Sequence, residues 1–182
     1  MRIITLNGSL RARSSNAALL RAAGKVAPES VQLVAYDGIA SLPHFNPDLD
    51  AEESEPPSPV RELRELLIAA DAILISCPEY AHGVPGAFKN LLDWLVSVGE
   101  LVDKPVALLN ASPSGGDYAQ AALLETLRTM NWRVVEEASL VKTFVRRKIV
   151  DELTDDDALD VLRHALETLM DVIVAARYSA HR

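Results

Sequence analysis

Short apolar runs alternate along this chain with longer stretches whose apolar residues recur every three or four positions. The runs predict strands at about residues 2–6, 31–35, 71–76, 105–110 and 138–141. The first, third and fourth are continuously apolar, as expected of parallel strands covered on both faces. Between them a 3.6-residue period predicts helices at about 15–27, 59–70, 85–98 and 117–131, the third carrying the stripe Phe88, Leu91, Leu92, Leu95 and Val98. A last helix follows from the spacing of Ala158, Leu159, Leu162, Leu166, Leu169 and Ile173. Thr154 is placed to cap it, with Asp155, Asp156 and Asp157 in the first turn, where acids suit the helix dipole. Five β–α units in a row predict an α/β protein with right-handed crossovers and an open, doubly wound sheet.

In such a sheet, ligands bind outside the carboxyl ends of the strands, where the strand order switches. The loops at that edge read NGSLRARSSN after strand one, CPEYAHGVPG after strand three and NASPSGGDYA after strand four. In the first, Gly8 permits a close turn, Ser9, Ser14 and Asn16 offer neutral hydrogen-bonding groups, and Arg11 offers a charged fork suited to phosphate oxygens. The loop can cradle an anion at a helix start, or Ser14 or Ser15 can simply cap that helix. It lacks the GK[ST] ending of a Walker loop and the later glycines of a dinucleotide fingerprint, so a single terminal phosphate suits it better than a pyrophosphate.

The second loop is stiffened by Pro78 and Pro85, and its backbone can face a planar heterocycle, with Tyr80 adding an aromatic edge. A tight turn with a core-packed tyrosine is the alternative. In the third loop Ser112 begins a flexible stretch, either ligand lining or plain connector. Cys77 reads as a small, partly buried residue, because no cation or helix start is arranged around it. His82 is a loop histidine that could donate a proton but more simply is solvated. Trp94 is core or an interface anchor, and Lys89 and Asp93 stand at i, i+4 and can pair.

Composition narrows the class. The 182 residues suit a single domain spanning 1–182, and an apolar share of 49% excludes overall disorder. A net charge of −8 argues against nucleic-acid partners. Apolar runs fall short of the roughly 20 residues that span a bilayer, and no signal-peptide pattern opens the chain. A single cysteine and four scattered histidines predict no metal centre, and a cytoplasmic location is expected. Residues 41–59 hold five of the ten prolines and five acids, which reads as a solvated linker or as a flap near the site. Arg146, Arg147 and Lys148 read as a solvated connection, or as a contact for the extra phosphate of NADPH.

Taken together, these stretches resemble the NADPH-dependent FMN reductase family of flavodoxin-like proteins, which includes quinone, chromate and azo-dye reductases. The phosphate-loop pattern GSLRxxSxN is present as Gly8, Ser9, Leu10, Arg11, Ser14 and Asn16. The pattern PEYNxSxPxxxKNxxDW is present as Pro78, Glu79, Tyr80, Pro85, Lys89, Asn90, Asp93 and Trp94. Two departures stand in it: Ala81 replaces the asparagine and Gly83 the serine. The fourth-strand loop reads SPSGG where the family more often has SPGGxGG.

The resemblance implies a flavodoxin-like sheet of five parallel strands in the order 2-1-3-4-5 and non-covalent FMN. It puts the FMN phosphate on Ser9, Arg11, Ser14 and Asn16. The flavin ring falls against Pro78, Glu79, Tyr80, Ala81, His82 and Gly83, with Ser112 nearby. It implies a reductase that takes hydride from NADPH or NADH and passes electrons to FMN, quinone or a similar small acceptor in a ping-pong cycle. No catalytic acid or base is then needed. A homodimer or homotetramer is implied, with the helix of Lys89 and Asp93 at an interface. The competing reading is a flavodoxin-like electron carrier without significant NADPH oxidation.

Overall fold

A computed structural model describes the chain except residues 52, 114, 141–143, 146–148, 150 and 181–182. Arg146, Arg147 and Lys148 therefore lie outside the described residues. Five parallel strands, β1 (Arg2–Asn7), β2 (Gln32–Tyr36), β3 (Ala72–Ser76), β4 (Pro105–Leu109) and β5 (Arg133–Val134), form one sheet in the order β2-β1-β3-β4-β5. This is the flavodoxin-like order expected, with its switch point between β1 and β3. No described helix is long and apolar enough to cross a membrane.

Every central strand sends alternate residues to opposite faces, as the two-residue period of a strand requires. Ile4 and Leu6, Ile73 and Ile75, and Val106 and Leu108 join one core; Ile3, Leu74, Ala107 and Leu109 join the other. The first core is covered by α2 (Ser58–Ile68), α3 (Gly86–Asp93) and α4 (Asp117–Thr129), and the second by α1 (Ser15–Val26) and α5 (Asp156–Ala180). Burial on both faces is why β3 and β4 carry no polar alternation.

Three boundaries differ from the sequence expectation. The fifth strand was expected at 138–141, but β5 pairs at Arg133–Val134 against Pro105–Val106. The chain then makes a 3₁₀ turn at Glu136–Ala138 and, among the described residues, meets the sheet again as a bridge between Leu140 and Leu109; residue 141 of the expected strand lies outside the described residues. Ser139 fills the break: its hydroxyl accepts from the Leu108 N–H at 3.1 Å and donates to the Val135 carbonyl at 2.7 Å. At α5 the cap is Asp155 rather than Thr154, its carboxylate accepting from the Ala158 N–H at 3.0 Å. Finally, α3 stops at Asp93 rather than continuing to residue 98. Arg64 caps it instead, donating to the Trp94 carbonyl from Nε at 3.0 Å and Nη2 at 2.6 Å. A guanidinium at a helix C-terminus satisfies orphan carbonyls and matches the dipole.

Residues 43–50 are not a free linker, and no described residue of 41–59 lines the cavity at the carboxyl edge of the sheet. Asn90 accepts from the Phe45 N–H at 2.8 Å and donates to the Pro43 carbonyl at 2.9 Å, and the Trp94 indole donates to that same carbonyl at 2.9 Å. Phe45 meets Trp94 edge to face, and Asp50 pairs with Arg64 in a largely desolvated bridge. Residues 43–50 are thus strapped across α2 and α3. Lys89 and Asp93 form the expected surface pair.

Candidate active site at the carboxyl edge of the sheet

The loops after β1, β3 and β4 enclose a cavity of about 430 Å³, within the range of small-ligand sites. Of the residues picked from sequence, Ser9, Arg11, Ser14, Asn16, Pro78, Glu79, Tyr80 and Ser112 line it. Ala81, His82 and Gly83 are not among its lining residues.

The first wall begins where β1 ends. Gly8 continues the β1–β3 ladder, its N–H donating to the Ser76 carbonyl at 2.8 Å. A side chain at Gly8 would place Cβ 2.7 Å from Cys77 Sγ, so this close crossing requires glycine. Cys77 is buried, and that burial pushes its thiol pKa up to about 12, so the thiol form is favoured over the reactive thiolate. Asn7 then clamps Ser9 from both sides: Oδ1 accepts from the Ser9 N–H at 3.1 Å and Nδ2 donates to the Ser9 carbonyl at 2.9 Å. The Ser9 hydroxyl in turn accepts from the Arg11 N–H at 3.3 Å.

Ser14 is the N-cap of α1, accepting from the Ala17 N–H at 3.2 Å. The N–H groups of Ser15 and Asn16, in the first turn, have no intrahelical acceptor and sit at the positive end of the helix. Asn16 is oriented by Ser76, whose hydroxyl donates to its Oδ1 at 2.8 Å, so its amide NH₂ is the group left for a ligand. Arg13 is neutralised by Asp151 in a two-point pair. Arg11 is exposed, and among the described residues its guanidinium has no acidic partner.

The second wall is a two-residue hairpin. Tyr80 and Gly83 exchange both backbone hydrogen bonds at 3.0 Å, with Ala81 (φ 49°) and His82 (φ 60°) at its tip. This is the geometry that Asn-Gly normally serves, because both central residues need positive φ. Ala81→Asn is accordingly expected to stabilise the protein by roughly 0.5–1 kcal/mol, asparagine tolerating the left-handed region better than alanine. Urea unfolding would measure it, and a destabilised variant would contradict the assignment of the turn. Two contacts dock the hairpin on α4: the Ala119 N–H donates to Glu79 Oε2 at 2.9 Å, and the His82 and Tyr118 rings stack at 4.3 Å. The Tyr80 hydroxyl lies 3.4 Å from Ser9 Oγ and links the two walls.

The third wall follows β4. Buried Asn110 accepts from the Ser112 N–H at 2.9 Å and donates to the Gly115 carbonyl at 3.2 Å. Gly115 and Gly116 both have positive φ, near 116° and 120°, which brings the chain back to α4 without strain. Arg13, Ser15, Cys77, Asn110, Ala111, Pro113 and Gly116 also line the cavity without having been picked as site residues from sequence, and Asn7 shapes the loop through Ser9. A signal for the two asparagines was present: each ends a strand as Asn-x-Ser, the spacing of an Asx turn.

The family model for NADPH-dependent FMN reductase matches residues 1–145. A quinone reductase of Escherichia coli K12 is 32% identical over 169 residues, covering 89% of each chain. An NAD(P)H-dependent FMN reductase of Pseudomonas aeruginosa is 30% identical over 175 residues, covering 93% of each. Among solved structures, the flavoenzyme NAD(P)H:(acceptor) oxidoreductase FerB from Paracoccus denitrificans superposes with a TM-score of 0.80 at 27% identity. That match spans 96% of this chain and 97% of FerB.

Proposed function

The chain belongs to the NADPH-dependent FMN reductase family, and we propose that its cavity holds the FMN of an NAD(P)H-dependent oxidoreductase acting on a small acceptor such as a quinone or free flavin. We read the whole chain as one domain built around that cavity. The observation that carries the reading is Arg11, exposed in the loop ahead of α1 and without an acidic partner among the described residues, lining one cavity with Ser15 and Asn16, whose N–H groups lack helical acceptors. An anion answers both needs at once.

The residues fit FMN. Ser9, Arg11, Ser14 and Asn16 would take its phosphate. The stretch from Pro78 through Gly83 would take the ring, Pro78, Glu79 and Tyr80 from the cavity wall and Ala81, His82 and Gly83 from the adjoining hairpin, with Ser112 on the other side. FMN supplies hydride and electron chemistry that side chains lack. The chain's own residues bind and orient. Arg11 and the α1 start neutralise the phosphate, while Asn16 is set by Ser76 to donate its amide. Glu79 spends its carboxylate on the α4 N-terminus, where the helix dipole offsets its charge beside an anion-binding wall. No acid or base is asked to move a proton in hydride delivery, and buried Cys77 stays a thiol. Nicotinamide and acceptor use the site in turn, a ping-pong cycle.

The test is a visible spectrum of the purified protein, with FMN added if it is colourless, before and after anaerobic NADPH or NADH. We expect a bound-flavin spectrum that bleaches, and whose colour returns when a quinone is added. Bound flavin that does not bleach with either nicotinamide would leave an electron carrier. Failure to take up FMN would remove the reading altogether.

A further inference from the structure

The strands that flank β3 end in the same device. Asn7 at the end of β1 and Asn110 just past β4 each accept, through Oδ1, the N–H of the residue two positions on, and that residue is a cavity-lining serine in both cases. Each also returns a hydrogen bond from Nδ2 into its own loop, Asn7 to the Ser9 carbonyl and Asn110 to the Gly115 carbonyl. A side-chain amide thus replaces the next rung of the ladder at the point where the strand stops. Without it, the Ser9 and Ser112 N–H groups would turn elsewhere for acceptors, and the two loops would lose their set conformations. Asn7 is not among the residues lining the cavity and acts through Ser9; Asn110 lines it, with its amide engaged by the Ser112 N–H and the Gly115 carbonyl.

We infer that Asn7 and Asn110 are paired positioning residues with separable tasks: Asn7 presets the phosphate loop, and Asn110 presets the loop beside the ring. The separation follows from connectivity. Asn7 fixes Ser9, whose hydroxyl orders the Arg11 backbone. Asn110 holds the Ser112 N–H and the Gly115 carbonyl, in the loop after β4, on the far side of β3 from the loop of Arg11. This inference rests on the reading of the cavity as an FMN site. Its test is chosen so that the two can fail separately.

Apo-protein is titrated with FMN and with riboflavin, which lacks the phosphate, following flavin fluorescence. Asn7→Ala is expected to weaken FMN about tenfold, as befits losing one or two hydrogen bonds around a charged contact, and riboflavin less than about twofold. Asn7→Ser, which can rebuild a weaker turn, is expected to restore part of the FMN preference. Asn110→Ala is expected to weaken both flavins by a similar factor, keep the FMN preference and shift the bound-flavin absorption band. If the alanine variant does not fold, Asn110→Asp, which keeps the acceptor for the Ser112 N–H, carries the same expectation at smaller size. Equal losses of both flavins in Asn7→Ala, or a selective loss of FMN in the Asn110 variants, would overturn the division of labour. Wild-type protein that binds neither flavin would instead overturn the cavity assignment on which it stands.

Discussion

Trp94→Ala is expected to remove about 3–5 kcal/mol of stability, the range for truncating a fully buried large aromatic. The indole is completely buried, packs at 5.0 Å against the Phe45 ring and donates to the Pro43 carbonyl at 2.9 Å. Alanine would open a cavity between α3 and the 41–59 segment and leave Asn90 as the side chain still holding Pro43. Against a total of roughly 5–15 kcal/mol for a natural domain, that is a large fraction. Trp94→Phe separates the terms: it keeps most of the ring and loses the indole N–H, so a loss of about 1–2 kcal/mol is expected. Chemical denaturation of both variants measures this. A loss below roughly 1 kcal/mol for the alanine variant would mean that the strap is not a structural element.

Arg11→Ala is expected to weaken FMN binding by about 10–100-fold, from the loss of charge-assisted hydrogen bonds worth roughly 1.5–3 kcal/mol. Riboflavin affinity should stay where it is, because the lost partner is the phosphate. Stability should also hold to within about 0.5 kcal/mol, since the side chain is exposed. Arg11→Lys should fall between, keeping the charge but not the planar fork. Arg13 provides the comparison within the same loop: its guanidinium is already taken by Asp151, so Arg13→Ala should weaken FMN much less. Unchanged FMN affinity in Arg11→Ala would withdraw Arg11 from the site.

The KN and DW pairs of the long motif have a structural meaning that the loop itself does not advertise. Asn90 and Trp94 bind the segment around Pro43 and Phe45, almost fifty residues upstream, so the motif reports a tertiary strap rather than ligand contacts. The phosphate loop is different. Ser14 caps α1 and also lines the cavity with Arg11, so a helix cap and the anion cradle we propose are compatible uses of one loop.

What the sequence by itself determined were the features whose causes are local. Strands β1, β3 and β4 were legible because burial on both faces leaves continuous apolar runs, and the helices because one buried face imposes a 3.6-residue period. The alternation of the two then implied the layered sheet and the edge where loops converge. Tertiary structure decided the features whose partners lie far away in the chain. Helix α3 ends where Arg64 reaches it from thirty residues upstream, and β5 breaks where the Ser139 hydroxyl substitutes for a ladder bond. Ala81 and His82 adopt positive φ although neither residue favours it, in a hairpin that Glu79 and His82 dock onto α4. Hydrogen bonds and ring contacts between distant segments leave no period in the sequence, and they are what shape the walls of the cavity.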